Sequence, residues 1–308
     1  MKIHALALSL SLACAACIAQ ASPTQCENKA FTVQFLGSGG PISDDARASS
    51  ATLIWLKGKP LALIDAGGGA FLRFGQSGAR LEDVRFIGLT HFHTDHVSDL
   101  PALLKGSYFF NSPHQIDIAG PSGGAGFPSL SGFMNAQFNA KTGAYAYLSG
   151  LYSGKGDIPL KLNLKTVDYA KAERSTVYRH GGVSISALGI PHGDVPTLAY
   201  RIDAPEGSIV ISADQNGGNP RFVDFAKNAD ILVMPLAIDE QADAASAFLH
   251  AKPSTVGRIA AAAKPKQLVL NHFMGKGLRV KDASLAVVRR YYAGPVYAGR
   301  DLSCFTAR

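Results

Sequence analysis

Short apolar runs alternate with turn-forming residues along most of the chain. Residues 31–36, 51–56 and 61–65 read as successive strands, the last two joined by the turn Gly58-Lys59-Pro60. Residues 85–90 form another apolar run, which ends where His91 begins. Further strands are expected at 183–190, 197–202, 208–212, 231–235 and 267–271, and helical spacing of apolar positions appears at 254–263 and 281–292. Helices interleaved with strands, without a fixed repeat, predict an α/β sandwich and exclude a solenoid. Residues 106–156 stand apart, being rich in Gly, Ser, Phe and Tyr. They are expected to form a helical insert packed on the sheet, with most of their aromatics in the core and a few lining a substrate pocket. No second domain is expected.

Composition narrows the class. With 308 residues, 47% hydrophobic and 17% charged, the chain can bury a sizeable core and is not a disordered segment. The formal charge is +7, but Lys and Arg are scattered without a dense run. That field favours a small anionic substrate over a nucleic-acid partner.

The N-terminus reads as a leader. Lys2 precedes the apolar run 6–18, and Ala19-Gln20-Ala21 offers a cleavage point. This is the order of a secretory signal peptide. Residues 1–21 are therefore expected to be removed, leaving 22–308 as one domain exported to the periplasm; the alternative is a buried N-terminal helix. The run is too short for a comfortable membrane span and no later segment is better, so no membrane role is expected. The mature chain keeps two of the four cysteines, Cys26 and Cys304. In an oxidising compartment they are expected to pair, the alternative being two free thiols. A loop that long would contribute roughly 5 kcal/mol by chain entropy.

The chemistry concentrates at His91-Phe92-His93-Thr94-Asp95-His96, directly after an expected strand. On a tight loop, His91 and His93 can share one ion while Asp95 and His96 address another. Imidazole and carboxylate are donors that suit zinc. Two other histidines, His114 and His180, match no motif and read as surface or packing residues.

This cluster resembles the His-x-His-x-Asp-His signature of the metallo-β-lactamase superfamily, and the resemblance continues along nearly the whole mature chain. Phe35-Leu36-Gly37-Ser38-Gly39-Gly40 is similar to the opening strand and glycine turn of the ribonuclease Z branch. Leu63-Ile64-Asp65-Ala66-Gly67 resembles the strand whose aspartate supports the metal loop. Pro191-His192, the strand end at Asp214, and the strand end at His272 resemble the segments that complete the ligand set, with Asp214 bridging the two metals. Read singly, His192 and His272 could be packing residues and Asp214 a turn or helix cap. Phe248-Leu249-His250 is similar to the branch's segment with a histidine acting on the scissile group, although Ala-Lys-Pro follows where Ser-Thr or Ala-Thr is commoner.

The resemblance implies an αββα sandwich holding two divalent metal ions, with zinc favoured, at His91, His93, Asp95, His96, His192, Asp214 and His272. Asp95 and His250 are the implied catalytic residues, His250 either as acid or as anion binder. Arg47, after the glycine turn, is a candidate contact for a substrate anion. The expected activity is hydrolysis of a small anionic ester, an aryl sulfate or a phosphodiester. Export and the want of a long Gly/Lys-rich arm argue against transfer-RNA maturation, while the 95–101 stretch and the aromatic insert resemble exported arylsulfatase-type relatives. A lactam hydrolase, a ribonuclease Z-like phosphodiesterase and a catalytically silent metal-binding sensor are the alternatives. Oligomeric state is not legible.

Overall fold

Alternation of side chains along each strand decides the layering. The structure is a computed structural model that describes residues 26, 29–153, 158–171 and 173–307. The expected signal peptide at 1–21 lies outside the described residues. Among those residues no helix is long and apolar enough to cross a membrane.

Strands β1 (Phe31–Gly37), β2 (Ala51–Leu56), β3 (Lys59–Ile64), β4 (Phe86–Gly88), β5 (His114–Pro121) and β6 (Leu160–Val167) lie side by side in that order. Strands β7 (Ser175–His180), β8 (Val183–Ile190), β9 (Thr197–Ala204), β10 (Gly207–Ile211), β11 (Ile231–Pro235), β12 (Gln267–Asn271) and β13 (Val296–Ala298) build the second sheet, also in sequence order. The last strand, β14 (Cys304–Thr306), returns to the first sheet and pairs antiparallel with β1.

Period-two alternation sends each strand's apolar residues to two different cores. Phe31, Val33 and Phe35 of β1 and Ile64 of β3 meet Ile209 and Ile211 of β10 and Val233 of β11 in one cluster between the sheets. The opposite faces are covered by helices. Leu53, Trp55 and Leu63 pack beneath the helices Ala70–Gln76, Leu100–Lys105 and Leu130–Phe138. Val210, Leu232 and Leu268 pack beneath Arg221–Ala226, Pro253–Ala263 and Lys281–Tyr291. The result is the expected helix–sheet–sheet–helix sandwich. One polar pair sits in the helix-covered core: the Trp55 indole donates to Gln34 Oε1 at 2.9 Å, so the buried amide is not left unpaired.

The reading of residues 106–156 needs correction. The segment holds helices, but β5 runs through it as a parallel strand between β4 and β6. Ile116 and Ile118 carry the period-two signal and are fully buried, and the surrounding Gly and aromatic residues obscured it. The aromatics also divide differently from the expectation. Phe138 is buried, whereas Phe109 and Tyr147 are 80% and 60% exposed. Strands β6, β7, β13 and β14 were not among the expected elements. The turn expected at Gly58-Lys59-Pro60 is tighter, since β3 already begins at Lys59.

Candidate metal centre

Strand ends build the site. Strands β3 and β4 run parallel, as do β10, β11 and β12, so each set delivers its C-terminal ends to one edge. Asp65 follows β3, His91 follows β4, His192 follows β8, Asp214 follows β10 and His272 follows β12. Three of these strands leave the sheet through a left-handed residue: Asp65 at φ 63°, Ala213 at φ 55° and His272 at φ 51°. For side chains other than glycine that conformation costs about 1–3 kcal/mol each, and such strain gathers where a site dictates side-chain direction.

The expected ligands converge. The donor atoms of His91, His93 and His192 lie within 4.8 Å of one another, and so do those of Asp95, His96 and His272. Asp214 stands between the two groups: its Oδ2 is 3.1 Å from His272 Nε2, 3.5 Å from His96 Nε2 and 3.9 Å from His192 Nε2. Asp95 Oδ2 is 3.2 Å from His272 Nε2. All seven side chains are buried except that of His93, which is half-buried.

Burial without pairing tests whether this donor set fits a metal. His192 donates from Nδ1 to the Leu249 carbonyl at 2.7 Å, which leaves Nε2 as the lone-pair nitrogen facing the cluster. That Nε2 is buried and makes no hydrogen bond. A buried acceptor without a partner costs free energy, and a cation is the partner this geometry lacks. The donor set therefore fits divalent ions. Burial also holds the pKa values of His91, His93 and His192 below the ordinary imidazole value, so their lone pairs are free. Burial pushes Asp214 up, but the neighbouring His272 and His96 outweigh it and keep the carboxylate charged.

The loop itself is gripped from below. Asp65 accepts from Thr90 N at 2.8 Å and from the Thr90 hydroxyl at 2.9 Å, and its Oδ2 lies 2.8 Å from His96 Nδ1. That contact aims His96 Nε2 into the cluster. Burial lowers the His96 pKa, but the Asp65 and Asp214 carboxylates more than reverse this and hold it well above the ordinary value. Two backbone bonds fix the loop to the turn after β3, Ala66 N to His96 O at 2.7 Å and Asp99 N to Ala66 O at 2.9 Å. A Cβ added at Gly67 would sit 1.9 Å from the Asp95 carbonyl, so only glycine permits this approach.

The remaining candidates take distinct places. His250 is buried, with Nδ1 4.0 Å from Asp214 Oδ2 and its ring 5.0 Å from that of His192. Burial lowers its pKa to about 4, so it is neutral at pH 7. Arg47 lines a cleft of about 330 Å³ that also touches Asp95. Its guanidinium donates to Ser38 Oγ at 2.6 Å and to the Gly299 carbonyl at 3.3 Å. Cys26 and Cys304 form a disulfide. Thr90, which ties Asp65 to the loop, was not singled out from the sequence. A lone threonine after a strand carries no signal of that role.

Comparison with known proteins agrees with this geometry. The model of the metallo-beta-lactamase superfamily matches residues 44–111, which span the His91–His96 loop. Ribonuclease Z of Mycobacterium avium (strain 104) is 28% identical over 284 residues, covering 88% of this chain and 96% of that protein. Ribonuclease Z of Haloferax volcanii is 26% identical, covering 87% of this chain and 92% of that protein. The crystal structure of human tRNase Z, short form, superposes with a TM-score of 0.68 at 20% identity, covering 90% of this chain and 99% of that one. The chain thus carries a metallo-beta-lactamase superfamily domain. It is a metal-dependent hydrolase of that fold.

Proposed function

We propose that the chain hydrolyses phosphodiesters in a small anionic substrate, using two divalent ions, zinc by preference. The reading is carried by one observation: seven donors from four separate segments meet in one cluster, in a chain alignable with ribonuclease Z over 88% of its length. His91, His93 and His192 would hold one ion and Asp95, His96 and His272 the other, with Asp214 shared. Such a pair, when bound, polarises a phosphoryl oxygen and lowers the pKa of water toward 7.

The chain's own residues supply the rest. Asp65 sets the His96 ring and Leu249 the His192 ring, so both present the correct nitrogen without rearrangement. His250, neutral at pH 7, can donate a ring N–H to an oxygen that gains charge. We include Asp95 in the catalytic set on its contact with His272. The cleft beside Asp95 gives Arg47 a position from which to meet a substrate anion. Residues 1–21 as an export signal, and a periplasmic site of action, complete the proposal; the disulfide supports them, because such bonds persist in oxidising compartments. The curated relatives named ribonuclease Z point toward RNA. The scattered positive charge and the lack of a Gly/Lys-rich arm in the sequence favour a smaller diester.

The test is a substrate panel on purified mature protein with its metal counted. Bis-aryl phosphate, aryl phosphate, aryl sulfate, a chromogenic lactam and a transfer-RNA precursor are compared by kcat/KM. The diester is expected to lead the small substrates by at least about tenfold, a difference of ~1.4 kcal/mol in activation free energy. Turnover confined to the sulfate or the lactam overturns the substrate assignment. Efficient cleavage of the precursor overturns the size assignment.

A further inference from the structure

The C-terminal tail reaches the loop beside the metal centre through the Asp301 carboxylate and through the Gly299 carbonyl, which accepts from Arg47 at 3.3 Å. Asp301 is poorly exposed, and both its oxygens are committed. Oδ1 accepts from Ser38 N at 3.1 Å and from Ser38 Oγ at 2.8 Å. Oδ2 accepts from Ala48 N at 2.9 Å and faces Arg73 Nε at 3.4 Å. Asp301 therefore ties together the two ends of the β1–β2 loop, the glycine turn at 38–40 and the segment around Ala48, whose neighbours Pro41, Arg47 and Ser49 line the cleft beside Asp95.

That loop in turn holds His272. Phe273 N donates to the Ser38 carbonyl at 3.0 Å, and Gly40 N donates to the Phe273 carbonyl at 3.3 Å. Gly39 N donates to the Ala48 carbonyl at 2.9 Å, closing the ring of contacts. Gly40 lies so near the His272 ring that an added Cβ would come within 2.8 Å of Cε1. The ligand thus sits in a cradle whose walls are set by Ser38 and Gly40. His272 also holds a left-handed backbone, which needs such outside support.

The tail carrying Asp301 is itself fastened. Gly299 N donates to the Leu270 carbonyl of β12 at 2.7 Å, and Leu302 N donates to the Phe35 carbonyl at 2.6 Å. Three residues after Asp301, Cys304 is bonded to Cys26. We propose that Asp301 is a positioning residue for the ligand His272, and that the Cys26–Cys304 bond keeps it in place. The inference rests on the reading of His272 as a metal ligand. It makes the ion on the Asp95, His96 and His272 side dependent on the tail, and leaves the ion on the His91, His93 and His192 side independent of it.

Selective loss of one ion separates this role from general destabilisation. Mature wild type, Asp301→Ala, Asp301→Asn and the Cys26→Ser/Cys304→Ser double variant are loaded with zinc and equilibrated against a chelator series. Zinc per chain and circular dichroism are read on the same samples. Wild type is expected to hold two ions. Asp301→Ala is expected to lose one of them at a chelator concentration about 10–100-fold lower while keeping the other and its fold, as removal of a ligand's supporting partner does elsewhere. Asp301→Asn retains an acceptor for Ser38 and falls between, and the double cysteine variant shifts in the same direction. Loss of both ions together with the dichroism signal, or no early loss at all, overturns the positioning role. Should Asp301→Ala not fold, Asp301→Asn decides by the same criteria. A wild-type chain that binds no zinc overturns the ligand reading itself, and the positioning role falls with it.

Discussion

At the scale of single residues, the site contains imidazoles oriented by hydrogen bonds to the rest of the protein, His96 by Asp65 and His192 by the Leu249 carbonyl. Asp65 illustrates this. It touches no proposed ion, yet its two oxygens fix Thr90 and His96. Replacing it by Asn supplies an amide N–H where an acceptor is needed. Asp65→Asn is expected to weaken metal affinity or kcat by about 10–100-fold, read by chelator competition and by steady-state rates. Unchanged affinity and rate would remove Asp65 from the account. The Asp65 role was visible in the sequence because the residue ends an apolar run in family order. Thr90 and Asp301 were not, because their partners lie across the fold rather than in a local pattern. Even Arg47, which the sequence did flag, is tied to Ser38 and Gly299, contacts that no spacing rule could reveal.

At the scale of elements, strands place the ligands and close packing keeps them there. Gly67 packs directly on the Asp95 carbonyl, so Gly67→Ala must push the metal loop away. The expected result is a folded chain with reduced zinc content; full zinc occupancy would show that the loop tolerates the shift. Tyr200 on β9 supports the other side. Its single hydroxyl proton is shared between the carbonyls of Leu89, just before the His91 loop, and Ala119 on β5, at 3.0 and 3.1 Å. Tyr200→Phe is expected to cost about 1–3 kcal/mol in denaturant unfolding, since the buried Leu89 carbonyl loses that donor, whereas Ala119 O still accepts from Leu89 N at 2.8 Å. A loss below a few tenths would mean the Leu89 carbonyl is satisfied otherwise. Strands with long unbroken apolar runs, such as β11 and β12, were legible to the residue. Short edge strands such as β13 and β14 were not, because three residues cannot establish a period and their pairing is set by distant partners.

At the scale of the whole molecule, the two sheets and their helical layers form a frame whose ends are tied together. The disulfide spans 278 residues, joining the start of the described chain to the last strand. Cys26→Ser/Cys304→Ser is expected to lower stability by about 2–5 kcal/mol, read as the shift of the denaturant midpoint. An unmoved midpoint would show that strand pairing of β1 with β14 alone holds the tail. The αββα order was legible from the sequence through the family motif, whereas the strand inside residues 106–156 was hidden by local composition.

Where metal sits is read most directly from an anomalous difference map at the zinc edge, from crystals of the mature protein. Two peaks are predicted, one against His91, His93 and His192 and one against Asp95, His96 and His272, with Asp214 touching both. A fully zinc-equilibrated crystal showing no peak at these side chains would contradict the central claim.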